Sequence, residues 1–157
     1  MALVLWMVLI FLFSAKTAEE SSRLSGSLTE VLARFFFRDW FFPENAGELH
    51  DHLEKFEYLL RKAAHFSEYF VLGGLLSLFL GEFDLKAVFR LIIGTFTGIL
   101  YAMSDEFHQS FVSGRAMQGF DILIDSGGVI LGVFIVSGIS AMILLERLKE
   151  KKKAACG

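Results

Sequence analysis

SGGVILGVFIVSGISAMILL, residues 126–145, runs for 20 residues without one ionisable side chain. A hydrocarbon layer of about 30 Å asks for roughly 20 apolar residues in a helix, so this stretch reads as a membrane span. Working outward, residues 63–80 and 87–103 are similar but carry ionisable groups at one end: His65 and Glu68 in the first, Arg90 in the second. The opening residues 1–13 are uniformly apolar yet short, about 20 Å as a helix. Extended to Ala15, or with local thinning of the bilayer, they form a first span. The rival reading is a cleaved signal peptide, against which no basic n-region and no A-x-A site is present.

Composition agrees: 54% of the 157 residues are hydrophobic and the mean hydropathy is +0.54. This excess goes beyond the needs of a water-soluble core. The expected fold is all-α, an integral membrane bundle of four transmembrane helices (about 1–15, 63–80, 87–104 and 122–145) in a single domain over 1–157. An interfacial, amphipathic helical segment separates the first two.

A net charge of −3 offers nothing to nucleic acid. The distribution of charge says more. ERLKEKKK (146–153) sets Arg147, Lys149, Lys151, Lys152 and Lys153 behind the last span, a cytoplasmic marker. Both termini and loop 81–86 are then expected inside, and segment 16–62 and loop 104–118 outside. The single cysteine, Cys156, excludes an internal disulfide framework.

Between the first two spans, SAKTAEESSRLSGS (14–27) reads as a loop by composition. LTEVLARFFFRDWFF (28–42) reads as an interfacial helix with Glu30, Arg34 and Arg38 in one stripe, Trp40 near the headgroups and Pro43 ending it. From Asn45, Leu49, Leu53, Phe56 and Leu60 mark an amphipathic helix running straight into the second span. Its acidic face (Glu48, Asp51, Glu54, Glu57, with His50 and His52) reads as solvated surface.

Helical spacing gathers the remaining polar residues. At 100° per residue, Gly94, Gly98, Tyr101, Asp105 and His108 fall within about 80° of arc. Asp121, Asp125, Gly128 and Gly132 share about 60°, as do Arg61, His65, Glu68 and Leu72. GTFTG (94–98), GVILG (128–132) and the pair Gly73/Ser77 are small-residue motifs that let helices approach closely in lipid. If glycine faces the bundle, so do Asp105, His108, Asp121 and Asp125. Antiparallel spans place the three clusters at one level, with Arg115 above them, so MSDEFHQSF (103–111) reads as one wall of a polar pocket on the outer side. Tyr69 and Tyr101 read as interface anchors in preference to hydroxyl donors.

RKAAHFSEYFVLGGLL (61–76), YAMSDEFHQSFVSGR (101–115) and DILIDSGGVILG (121–132), in that order, closely resemble the VanZ-like family of bacterial membrane proteins. LWMVLIFLFSAKTAEESS (5–22) resembles that family's first span and following loop. The likeness carries the pattern onto Arg61, Lys62, His65, Glu68, Tyr69, Asp105, Glu106, His108, Gln109, Arg115, Asp121 and Asp125. Two departures stand out: Ser113 occupies a place where proline is frequent, implying a less rigid loop, and Asp125 a place where asparagine is frequent, adding negative charge. The resemblance implies a bacterial inner-membrane protein and a link to teicoplanin resistance. It implies no settled reaction.

Three readings compete for these residues. A structural cap would have Arg61, Lys62 and Arg115 neutralise Glu68, Asp105, Glu106, Asp121 and Asp125. A binding site for an anionic lipid, lipid-linked cell-wall precursor or lipoglycopeptide would use Arg61, Lys62, His65 and Arg115 on phosphate. A hydrolase would use His65, Glu68, Asp105 and His108, either as ligands of a divalent metal or as bases oriented by carboxylates. No H-E-x-x-H or serine-nucleophile motif supports the last. Transport finds no polar relay at mid-bilayer in spans one, three or four, although a homodimer would open another path.

Overall fold

The apolar runs form helices α3 (Ala46–Gly81), α4 (Ala87–Gln109) and α5 (Gly119–Cys156), preceded by α1 (Ala2–Ser14) and α2 (Ala18–Phe36). The computed structural model describes residues 1–36 and 46–156, and no strand occurs among them. Arg38, Trp40 and Pro43 lie outside the described residues, as do the side chains of Arg34, Glu48, Leu49, His50 and Cys156. Helices α3, α4 and α5 are each long and apolar enough to cross a membrane. Helix α1 together with α2 as far as Leu32, bent by 102°, makes a fourth span if counted as one broken crossing. The chain is thus the all-helical membrane bundle its hydropathy implies. At 1.5 Å per residue the 36 residues of α3 reach about 54 Å, well beyond the hydrocarbon layer.

Helix α3 is the hub, in contact with all four others. Contacts to α5 keep an offset near 60 residues, as in Lys62 with Asp121 and Ser77 with Ser137, so the two helices run parallel. Against α4 the numbers oppose: Gly94 meets Leu80 and Gly98 meets Leu76. Helix α1 follows α4, since the Tyr101 hydroxyl donates to Met7 O at 2.7 Å and Phe11 stacks on His108 at 4.6 Å between ring centroids. The Trp6 indole donates to Glu68 O at 2.9 Å, fixing α1 against α3. Four helices therefore alternate in direction, and Ile10, Tyr69, Leu72, Leu76, Ala102, Val129 and Val133 form the core between them.

Small residues set the spacing of the α3–α5 seam. A Cβ on Gly132 would stand 2.0 Å from Phe70 O, one on Gly128 2.4 Å from Phe66 O, and one on Gly73 2.3 Å from Val129 O. Only hydrogen fits there. The Ser77 and Ser137 hydroxyls bond each other at 2.8 Å deeper in the same seam, which satisfies two polar groups that lipid cannot. Both glycine motifs thus face the bundle, as their spacing implies.

The segment read as a loop is a helix. Helix α2 starts at Ala18 because Thr17 and Glu20 form a capping box: Glu20 N donates to Thr17 Oγ1 at 3.3 Å and Thr17 N to Glu20 Oε2 at 3.1 Å. Composition alone hid this, since serine and glycine between 21 and 27 weaken helix propensity without forbidding it. Among the described residues, α2 packs on α3 and on no other helix. Ser25 Oγ and Arg61 Nη2 both donate to Glu57 Oε1, at 2.6 and 2.8 Å, latching the two together.

Candidate functional site

Where α1 ends and α2 turns away, a cavity of about 350 Å³ opens between α1, α2 and α3 and under the loop after α4. Its lining is divided. Ile10, Phe13, Leu24, Leu28 and Leu60 make an apolar side, while Lys16, Arg61, His65, Glu68, Asp105 and Arg115 bring charge and hydrogen-bonding capacity to the other. Ser14, Ser21, Ser25 and Ala64 complete it.

The four polar residues near the end of α4 have separate tasks. Asp105, only 4% exposed, reaches the cavity and accepts from Gln109 Nε2 at 3.2 Å through Oδ2. Gln109 in turn accepts from Arg115 Nη1 at 2.7 Å through Oε1. Gln109 therefore bridges a carboxylate and a guanidinium, and fixes Arg115 over the opening. Glu106, 1% exposed, accepts the Gln118 amide at 2.7 Å, placing negative charge just before the α5 N-terminus, where the helix dipole favours it. His108 lies against the Phe11 ring and outside the cavity lining, with its Nε2 buried and unpartnered.

Arg115 sits in the loop between α4 and α5. Gly114, at φ +75°, adopts the left-handed conformation that glycine tolerates, and a Cβ there would press on Ala18 Cβ at 3.0 Å. Ser113 O accepts the Ala18 amide at 3.3 Å, so the loop docks on the start of α2. Burial lowers the pKa of Arg115, and the Arg61 guanidinium adds to this, opposed by Asp105, Glu106 and Asp121. A guanidinium remains a cation through any such shift at neutral pH.

Behind the cavity lies a second polar group of α3 and α5. Lys62 pairs with Asp121 and rests on the Tyr58 ring. His65 Nδ1 stands 3.9 Å from Asp125 Oδ1, too far for a hydrogen bond. Asp125 is fully buried with both oxygens unpartnered. Tyr69, also fully buried, places its hydroxyl beside the Asp105 carboxylate without completing a hydrogen bond. Tyr69 and Tyr101 are therefore interior groups, and the interface-anchor reading is corrected: the glycine stripes draw their helix faces inward.

The expected residues thus divide. Arg61, His65, Glu68, Asp105 and Arg115 line one cavity; Lys62, Tyr69, Glu106, Gln109, Asp121 and Asp125 buttress it from behind. The pairs of an ionic cap form only in part: Lys62 takes Asp121, whereas Arg61 takes Glu57 and Arg115 takes Gln109. Among the described residues no group of three or more His, Cys, Asp or Glu side chains is arranged to hold a metal ion. No hydrogen bond joins His65 to Glu68 or His108 to Asp105, the pairings that general-base chemistry would use.

Sequence reasoning missed Lys16 and the α2 side of the cavity (Ser21, Leu24, Ser25 and Leu28), and with them the role of Glu57. The signal was present. Thr17-Ala-Glu-Glu20 is a capping box followed by Leu24, Leu28 and Val31 at helical spacing.

A family model for VanZ/LLP1 matches residues 1–144. The chain belongs to the VanZ/LLP1 family. The match takes in α1, α2 and every cavity residue of this VanZ/LLP1 chain, and leaves out only the basic end of α5. No curated protein and no solved structure matches the chain.

Proposed function

We propose that this VanZ/LLP1 membrane protein binds the phosphate-bearing headgroup of an envelope lipid or lipid-linked precursor in the α1–α2–α3 cavity, at the outer leaflet. The observation that carries this is the divided lining: Lys16 and Arg115 beside a strip formed by Ile10, Phe13, Leu24 and Leu28. A phosphate bound by Arg and Lys gains charge-assisted hydrogen bonds, while the neighbouring apolar wall suits an acyl chain. Lys16 replaces Lys62 in this reading, because Lys62 is spent on Asp121. The outer-leaflet placement rests on the basic tail of α5, which lies at the opposite end of the bundle. A lipoglycopeptide of the teicoplanin type, with its own acyl chain, is the other amphiphile that the family resemblance implies.

Mass analysis of lipids co-purifying with the wild-type protein, Lys16→Ala and Arg115→Ala tests the proposal. Phospholipid held by the wild type and lost from both variants is expected. Equal lipid content in all three, or none in the wild type, contradicts it.

A further inference from the structure

The charges lining the cavity form no ion pair with each other. Arg61 is already paired with Glu57 at 2.8 Å. Among the described residues, neither Lys16 nor Arg115 has a carboxylate within 4.0 Å, and neither Glu68 nor Asp105 has a cation within that distance. Lys16 instead lies over the Phe13 ring, 4.7 Å from its centroid, and Arg115 donates to the neutral Gln109 amide. Asp105 accepts from Gln109 through Oδ2, while Oδ1 is buried without a hydrogen bond and the Tyr69 hydroxyl stands beside the carboxylate. Two cations and two carboxylates therefore share one cavity and are held apart within it.

Of the four, Asp105 is buried, while Lys16, Glu68 and Arg115 are partly exposed; a buried carboxylate without a cationic partner is costly. Gln109 spaces Arg115 from Asp105 by bonding both. The Glu68 backbone carbonyl accepts from Trp6, which sets that turn of α3 against α1. Such a lining matches a ligand with charges of both signs, each meeting its opposite.

Resting on the lipid-binding reading above, we infer that the ligand of this cavity is zwitterionic: its phosphate meets Lys16 and Arg115, and an ammonium group with N–H donors meets Glu68 and Asp105. The chemical class is a phosphate joined to a primary amine, as in a phosphoethanolamine headgroup. A purely anionic headgroup would leave both carboxylates unpaired. A quaternary ammonium would bring charge without donors, leaving Asp105 Oδ1 without a hydrogen bond.

Delipidated protein in detergent is offered phosphatidylethanolamine, phosphatidylcholine and phosphatidylglycerol with matched acyl chains, in equal amounts, and bound lipid is counted by native mass spectrometry. Phosphatidylethanolamine is expected to exceed each of the others by about tenfold or more, the factor that one charge-assisted hydrogen bond supplies. Glu68→Gln and Asp105→Asn should each draw the ethanolamine-to-choline ratio toward one. A melting temperature kept near that of the wild type excludes misfolding as the cause of a ratio near one. Equal binding of the ethanolamine and choline lipids overturns the inference, as does a preference that persists in both variants. Binding of phosphatidylglycerol above the other two overturns the zwitterion but leaves the cavity a lipid site. Binding of no lipid removes both.

Discussion

On one side of α3, Gly128 and Gly132 of α5 bring backbone against Phe66 and Phe70, and Ser77 and Ser137 share one hydrogen bond. On the other side, less than a turn away, His65 and Glu68 face a cavity in which charges of both signs stand unpaired. Two faces of the same helix thus follow opposite rules. The seam excludes even a methyl group and leaves little for a ligand to add; the cavity keeps unspent interactions that only a ligand can complete. Marginal stability makes the second arrangement affordable only where the first is secure. Tight packing on α5 allows α3 to carry an unsatisfied site on its far face.

Substitutions on the two faces should therefore separate stability from binding. The largest effect is expected from Gly132→Leu, whose Cβ alone would stand 2.0 Å from Phe70 O. Overpacking of this kind costs about 1–3 kcal/mol and sometimes more, and with backbone as the obstacle the upper end applies. Thermal unfolding of the detergent-solubilised protein should show a large loss or no folded species; a midpoint close to wild type would break the seam as described.

Next in size is Lys16→Ala, expected to weaken phospholipid retention about tenfold or more, as the loss of a charge-assisted contact would. Its melting temperature should stay within about 2 °C of wild type, since its contact is the exposed Phe13 ring. A large drop in melting temperature would place Lys16 among the structural groups and blur the contrast.

Asp125→Asn probes the polar group behind the cavity. Both oxygens of this fully buried side chain lack partners, so the isosteric Asn breaks no bond and should hold or raise the melting temperature, by up to about 2–4 °C. A fall in melting temperature would show that the carboxylate is engaged. The smallest effect belongs to Ser137→Ala, which loses the 2.8 Å bond to Ser77; interhelical hydrogen bonds of this type average about 0.6 kcal/mol. A loss several times larger would mean that the serine pair, not the glycines, sets the seam.

Much of the bundle was legible because membrane spans write themselves in hydropathy and glycine spacing. The polar wall was legible for the same reason: Asp105, His65 and Asp125 lie at helical intervals from glycines that had to face inward. Partner choice was not legible. Glu57 reads as one more residue on a solvated acidic face, yet it holds Ser25 and Arg61. Glu106 reads as a pocket acid, yet it holds the α5 amide at Gln118. Such contacts depend on where α2 and the 110–118 loop fold back, which no local pattern encodes. The start of α2 was available in the Thr17–Glu20 box, but the polar composition around it spoke for a loop. His108 followed its arc correctly and still ended against Phe11, because α1 occupies that side of α4.

The most direct test of the lipid cavity is photo-crosslinking with a phosphatidylethanolamine that carries a diazirine on its acyl chain, incorporated with the protein into nanodiscs and mapped by mass spectrometry. Adducts concentrated on Phe13, Leu24 and Leu28, and reduced in Arg115→Ala, are the expected result. Labelling confined to outward residues such as Ile139 and Met142 on α5, and absent from the cavity, would contradict the account.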